Sequence, residues 1–308
     1  MAARILFNSS SLPAGRTGTA LEVTPRRAGW KYISFAVRHI ATARPWTTLT
    51  GRQECCLVLL RGICSVEYRN GGRTHIATLG PRAGVFSGYP HAIYLPPDTQ
   101  ARVVASEVTE LADGRAPARV KLAPRVIRPE DCGLETRGGG NATRQIVDIL
   151  PPSFPADRLL VCEVYTPSGN WSSYPPHKHD VNRPPGEVKL EEIYYYRFSD
   201  AGRRGQLPTL APAEAYGFQR LYNKTSDQTI TVRHGDLVLI RDGYHPFVSA
   251  YGYNAYYLNV LAGTRRSMAA SDDPRYAPLR GTWPAPDPRV PIVSPPHRGR
   301  RQASDPSG

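Results

Sequence analysis

T-V-R-H-G-D-L-V-L-I-R-D-G-Y-H, residues 231–245, contains two short strand-like stretches separated by H-G-D and closed by R-D-G-Y. Runs this short, with glycine and aspartate between them, are hairpin chemistry and do not sustain a 3.6-residue apolar period. The same rhythm extends outward on both sides. One block holds C-L-V-L-L-R, I-C-S-V-E-Y, T-H-I-A-T-L, H-A-I-Y-L and A-R-V-V-A-S-E-V, punctuated by R-N-G-G and G-P-R-A-G. A second holds L-L-V-C-E-V-Y, E-I-Y-Y-Y-R-F, F-Q-R-L-Y, Q-T-I-T-V, D-L-V-L-I and A-Y-Y-L-N-V-L. Strands so regularly interrupted predict an all-β chain of sandwiches or barrels, and two blocks predict two barrels joined near residues 125–150.

Composition agrees. The chain has 308 residues, 40% of them hydrophobic, with 30 prolines and 27 glycines, which is enough apolar mass for two cores and favours turns over helical bundles. No apolar run approaches the roughly 20 residues that span a bilayer, so no membrane association is expected. The opening M-A-A-R-I-L-F-N-S-S-S-L lacks a long apolar segment with a small-residue cleavage site, which predicts a cytoplasmic protein. Five cysteines (Cys55, Cys56, Cys64, Cys132, Cys162) without C-x-x-C spacing suit reduced thiols. The net charge of +13 raises nucleic-acid binding, but only five lysines occur and the arginines are scattered, with several in the tail at Arg298, Arg300 and Arg301. Without a basic helix or a recognised motif, nucleic acid is not an expected partner, whereas a small anionic substrate suits the charge.

R-G-G-G-N-A-T-R, residues 137–144, lacks the G-K-[ST] ending and the spacing of phosphate-binding loops and reads as a turn before R-Q-I-V-D-I-L. The composition divides the chain into an N-terminal segment 1–20, a first barrel 21–135, a second barrel 136–268 and a proline- and charge-rich tail 269–308. That tail, with His297 in it, is expected to be extended and largely disordered.

Chemistry gathers in the second block. Y-P-P-H-K-H-D, residues 174–180, places His177 and His179 two apart, so that on a strand both imidazoles point to one face. L-E-E-I-Y-Y-Y-R-F, residues 190–198, follows with two carboxylates, and His245 stands after the turn R-D-G-Y. H-x-H, then Glu, then His on a later strand is the pattern of the cupin metal site. Three neutral nitrogens and one anionic oxygen suit one divalent ion of zinc, manganese or iron. The chain departs from the general cupin pattern in two places. Twelve residues separate His179 from Glu192, and Arg241 stands where proline is usual, with Gly243 one residue closer to the histidine than in most cupins.

Taken with these departures, the segments S-G-N-W-S-S-Y-P-P-H-K-H-D, L-E-E-I-Y-Y-Y-R-F, G-F-Q-R-L-Y, T-V-R-H-G-D-L-V-L-I, G-Y-H-P and Y-Y-L-N-V-L-A-G resemble the 5-deoxy-glucuronate isomerases of inositol catabolism, the IolB family. G-W-K-Y-I-S-F and R-G-G-G-N-A-T-R-Q-I-V-D-I-L resemble it too, so the likeness runs in order over roughly residues 20–268. It implies a bicupin of two jelly-roll (double-stranded β-helix) barrels with a metal in the second, held by His177, His179, Glu192 and His245. It also implies an aldose–ketose isomerase converting 5-deoxy-D-glucuronate to 5-dehydro-2-deoxy-D-gluconate. Alternation puts Glu192, Tyr194 and Tyr196 on one face and Glu191, Ile193, Tyr195 and Arg197 on the other. The related pectin-derived uronate isomerases, with H-x-H followed by E-V-Y-F-Y, frame E-I-Y-Y-Y here and select Glu192 as the ligand.

An isomerase of this type needs a base to move a proton between C2 and C1, for which Glu191, Asp180 and a tyrosine of 194–196 are candidates. Tyr194 and Tyr196 are expected to line the pocket, and Arg220, Arg144 or Lys178 to hold the substrate carboxylate, with arginine favoured for its planar fork. In the first block G-P-R-A-G-V-F-S-G-Y-P-H-A-I-Y-L offers only His91, without an H-x-H, and predicts a barrel without metal. His39, His75 and His234 take ordinary structural roles. Rival readings are an isomerase of pectin-derived 5-dehydro-4-deoxy-D-glucuronate and a non-catalytic sugar-binding bicupin. Exposed barrel edges allow a homo-oligomer.

Overall fold

The computed structural model describes residues 5–10, 12, 15–201 and 214–295. All of its strand pairs are antiparallel and fall into two units. The first is a nine-stranded sheet whose main path runs Arg125–Ile127, Ala92–Leu95, Gln53–Asn70, Thr109–Pro117, Ser34–Ile40, Gly18–Val23. Arg73–Arg82 and Gln100–Ala105 pair with the far half of Gln53–Asn70, and Trp46–Leu49 pairs with Gln100–Ala105. The second unit has a seven-stranded sheet in the order Leu6–Asn8, Asp236–Ile240, Leu190–Asp200, Tyr253–Gly263, Leu160–Thr166, Arg144–Leu150, Gly133–Arg137. A four-stranded sheet, Trp171–Ser172, Phe247–Ser249, Tyr216–Tyr222, Asp227–Arg233, completes it. Among the described residues no helix is long and apolar enough to cross a membrane.

The long strand Gln53–Asn70 shows why the apolar runs look as they do. Cys55 to Leu60 are all buried. Cys55, Leu57 and Leu59 enter the interior of the first barrel, while Cys56, Val58 and Leu60 enter a separate layer shared with the second. A strand covered on both faces reads as a continuous apolar run and not as an alternation. At Gly62 the register shifts and the strand passes from its pairing with Ala92–Leu95 and Thr109–Pro117 to its pairing with Arg73–Arg82 and Gln100–Ala105. Its φ of +100 and the approach of Thr109 Oγ1, 2.5 Å from where a Cβ would stand, leave room for glycine alone. In the second barrel Ile193, Tyr195, Leu258 and Val260 enter the shared layer, and Tyr194, Tyr196, Phe198 and Tyr257 fill the interior. The barrels therefore dock sheet to sheet. Phe35 meets Tyr195 there with ring centroids 5.7 Å apart, and each fully buried large side chain contributes roughly 1.5–3 kcal/mol.

The N-terminal segment joins the second unit, where Leu6–Asn8 pairs with Asp236–Ile240 at the edge of the sheet. The expectation of an extended, largely disordered tail is corrected over its described residues 269–295. Ser271–Asp272 pairs with His177–Lys178, Ala277–Thr282 forms a short 3-10 helix, and Val293 is buried in the layer between the barrels. Proline content misled here, because the segment satisfies its backbone against the barrel: Gly140 donates to Ala285 O and Asp273 to Pro176 O. His297, Arg298, Arg300 and Arg301 lie outside the described residues.

Candidate metal and substrate site

Glu192 stands on the interior face of Leu190–Asp200, and His179 follows the short strand His177–Lys178. His245 follows a turn that only glycine permits, for Gly243 has φ +79 and a Cβ there would stand 2.4 Å from Tyr222 O. The result is a compact group in which donor atoms of His179, Glu192 and His245 all lie within 4.8 Å of one another. All three residues are buried. The His177 ring centroid lies 4.7 Å from that of His245 and 6.4 Å from that of His179. This imidazole is less buried, and its nitrogens stand outside the compact group.

The chemistry of His245 tests whether the group suits a cation. Its Nδ1 faces the Gly243 carbonyl oxygen at 3.2 Å, which assigns the ring proton to Nδ1. Nε2 then presents a lone pair, has no hydrogen-bond partner, and faces Glu192 Oε2 at 3.3 Å. A buried lone pair against a carboxylate oxygen is repulsive unless a positive charge lies between them. Burial pushes His245 down to about 4, so the ring is neutral, as a ligand must be. A histidine whose other nitrogen donates to a backbone carbonyl is also the usual support for a ligating imidazole.

The remaining shifts follow the same geometry. Burial, reinforced by the His245 ring beside it and by Arg144, holds His177 well below the ordinary imidazole range. Burial works against a charged His179, but the charge and hydrogen bond of Glu192, 2.6 Å away, outweigh it and raise its pKa. Burial would raise Glu192, yet His179 and His245 hold it below the usual carboxylate range, helped by a hydrogen bond from Asn259. The residues present fit a metal ion.

The group opens into a cavity of about 410 Å³. Tyr194 lines it, as expected, with its hydroxyl 2.9 Å from Ser173 Oγ, and stacks on Tyr257 at 4.1 Å. Arg144 also lines it and is buried. Other expected residues lie elsewhere. The Glu191 carboxylate accepts the backbone amides of Lys31, Tyr32 and Ile33 at 2.6, 2.8 and 3.0 Å, on the face toward the first barrel. It is bonded to the first barrel and does not line the cavity. Lys178 is bound to Asp180 and to Glu187 at 2.9 Å, and Arg220 to Asp227 at 2.6 and 2.8 Å outside the cavity. Neither is available to a substrate carboxylate, because each is already neutralised by an acid beside it. Tyr196 does not reach the cavity, and its hydroxyl donates to Gln219, whose amide donates to the His245 carbonyl at 2.7 Å. It supports the histidine's backbone. Asp180 is held by Lys178 and by the Gly243 amide at 2.8 Å.

Residues not singled out from sequence also line the cavity, including Arg137, Asp148, Tyr257, Asn259, Asp272 and Arg280. Alternation along R-Q-I-V-D-I-L and Y-Y-L-N-V-L-A-G carries the signal for Asp148, Tyr257 and Asn259 once Arg144 and Ile146 are put on the interior face. Nothing local marks Asp272 or Arg280, which arrive from the segment read as a tail.

Comparison with known proteins places this arrangement. A model of the KduI/IolB family matches residues 6–279. The chain belongs to that family. Within it, a protein of Geobacillus thermodenitrificans named 5-deoxy-glucuronate isomerase is 40% identical over 271 residues, 87% of this chain and 93% of the relative. One of Bacillus subtilis strain 168 with the same name is 36% identical over 264 residues, covering 83% and 90%. The crystal structure of an IolB-like protein from Salmonella typhimurium superposes with a TM-score of 0.80 at 34% identity, over 89% of this chain and 98% of that one. An oxalate decarboxylase of Lactobacillus farciminis matches at TM-score 0.61 and 11% identity over 92% of each chain, a likeness of fold alone. The KduI/IolB chain described here is accordingly an all-β bicupin.

Proposed function

We propose that this chain is an aldose–ketose isomerase that converts 5-deoxy-D-glucuronate to 5-dehydro-2-deoxy-D-gluconate in inositol catabolism. The observation that carries the reading is the buried His–Glu–His group, of which His179 and Glu192 line the cavity, in a chain 40% identical to a 5-deoxy-glucuronate isomerase. One divalent ion would be held by His179, Glu192 and His245, with His177, whose ring stands beside His245 but outside the compact group, as the expected fourth ligand, a donor set that suits zinc, manganese or iron(II). When bound, the ion supplies Lewis acidity to neighbouring oxygens of an open-chain sugar.

The protein's own groups supply orientation and proton transfer. Burial, reinforced by the Glu192 charge, lifts Tyr194 well above the ordinary phenol range, so its hydroxyl stays protonated and donates to sugar oxygens. A proton must pass from C2 to C1. Of the acids lining the cavity, Glu135 is bonded to Arg137, Asp272 to Arg280, and Glu192 belongs to the ligand group. Asp148 is left for that role, with burial and then the Glu135 charge raising its pKa toward the range in which a carboxyl takes and returns a proton. All five cysteines are free thiols, which suits work in the reducing cytoplasm.

The test is proton NMR of 5-deoxy-D-glucuronate with the purified chain, following exchange at C1 and C2, alongside elemental analysis. About one divalent ion per chain and conversion to the ketose are expected. Substrate that binds but neither exchanges nor isomerises favours a sugar-binding protein, and faster turnover of 5-dehydro-4-deoxy-D-glucuronate favours the pectin branch.

A further inference from the structure

We propose that Arg144 is the anion subsite of the cavity and sets the direction of a bound sugar acid, with the carboxylate at Arg144 and the carbonyl end at His179, Glu192 and His245. The subsite rests on the charges lining the cavity, and only the assignment of the carbonyl end rests on the isomerase reading.

Among the described residues three arginines line this space, and two of them are neutralised. Arg137 holds Glu135 through two hydrogen bonds of 2.6 and 2.8 Å. Arg280 holds Asp272 through two more, one of 2.6 Å. Arg144 makes no ion pair or side-chain hydrogen bond among the described residues. It is only 4% exposed, and its Nη1 is buried without any partner. Of the other two acids of the lining, Glu192 faces His179 and His245, and Asp148 makes no ion pair with Arg144 among the described residues.

A buried guanidinium with nothing opposite it is among the costliest arrangements a protein interior holds, and removing a partner from a buried pair is strongly destabilising for the same reason. A cavity-facing cation left in that state is poised for an anion that arrives from outside. The planar fork of arginine matches a carboxylate bidentately, and burial strengthens each charge-assisted bond. The position suits a short sugar acid. Arg144 lines the same cavity as His179 and Glu192 of the ligand group and as the stacked tyrosines Tyr194 and Tyr257. Hydroxyls of the sugar then run past Tyr194, Tyr257 and Ser173, all of which line the space.

D-glucuronate and D-glucuronamide, which differ in charge at one end and hardly in shape, probe the subsite by titration calorimetry on the metal-loaded full chain. Wild type is expected to prefer the carboxylate. Arg144→Gln is expected to raise the glucuronate Kd about 30-fold, the scale of a lost charge-assisted pair, with the glucuronamide Kd nearly unchanged. Metal content should match wild type. An equal affinity of wild type for the two probes, or an Arg144→Gln variant that weakens both alike or neither, overturns the subsite. If Arg144→Gln fails to fold, Arg144→Lys carries the test, since it keeps the charge and loses the fork. It should cut the preference for glucuronate about fivefold, and an undiminished preference overturns the proposal. The two readings fail separately. A wild type that discriminates the probes through Arg144 without turning over 5-deoxy-D-glucuronate keeps the subsite and sinks the isomerase. Turnover with an unaltered KM in Arg144→Gln does the reverse.

Discussion

The two barrels solve one problem in the same way and another in opposite ways. Each must dock on the other, and each does so with a glutamate near the start of a central strand that accepts three consecutive amides from the opposite unit. Glu54 takes the amides of Asp157, Arg158 and Leu159 at 2.8, 2.6 and 2.7 Å. Glu191 takes those of Lys31, Tyr32 and Ile33. The interiors then diverge. The first is filled by Cys55, Leu57, Leu59, Val66 and Leu79, all with essentially no exposure. In the second, Glu192, His179, His245 and Asn259 occupy interior ground and leave a cavity. Successive residues on a strand face opposite ways, so the docking face can be kept while the interior face is packed solid in one barrel and equipped with ligands in the other. This explains why the neighbours Glu191 and Glu192 have unrelated tasks.

The largest effect that separates the barrels should come from their histidines. His179→Ala is expected to abolish metal retention by elemental analysis and to lower turnover by at least about 100-fold, more than the loss of a ligand's supporting partner. His91→Ala in the first barrel should leave both unchanged. Full activity in a metal-free His179→Ala chain breaks the contrast.

Next comes the join between the units. Arg82 of the first barrel and Glu163 of the second form a two-pronged ion pair at 2.8 and 2.8 Å, with the Tyr165 and Tyr256 hydroxyls donating to Glu163 at 2.7 and 2.9 Å. Both side chains are fully buried. Arg82→Met strands the carboxylate and should cost about 3–5 kcal/mol in urea unfolding. Replacing Glu163 by Met as well should recover much of that loss, and a double variant as unstable as the single would show that the pair is not the source.

The smallest effect sharpens the pairing of Glu54 and Glu191. Glu54→Gln should cost about 1–3 kcal/mol, because it leaves buried amides facing a weaker and partly mismatched acceptor, and Glu191→Gln less, because its amides are exposed or half-buried. Neither should change kcat. A collapse of kcat in Glu191→Gln with stability intact would return Glu191 to the chemistry.

Much of this was legible before any coordinates. Alternation assigned Glu192, Tyr194 and Tyr196 to one face, and the structure has them there. It stopped short at Tyr196, because an interior face extends beyond the cavity that occupies part of it. The misplaced residues share a cause. Glu191, Lys178 and Arg220 are charged groups whose partners, Lys31–Ile33, Glu187 and Asp227, lie on other strands or loops, and no local pattern tells an occupied charge from a free one.

The sequence by itself pointed to the all-β class and named His179, Glu192 and His245 among its four candidate ligands, Glu192 through a family likeness, since strand period, turn residues and ligand chemistry are local properties. Only the tertiary structure decided that, among the described residues, Arg144 lines the cavity without an ion pair, that Glu191 fastens one barrel to the other, and that Asp272 and Arg280 line the cavity while Val293 packs between the barrels. Each of these depends on which distant groups satisfy a charge or an amide, and that is settled only when the chain is folded.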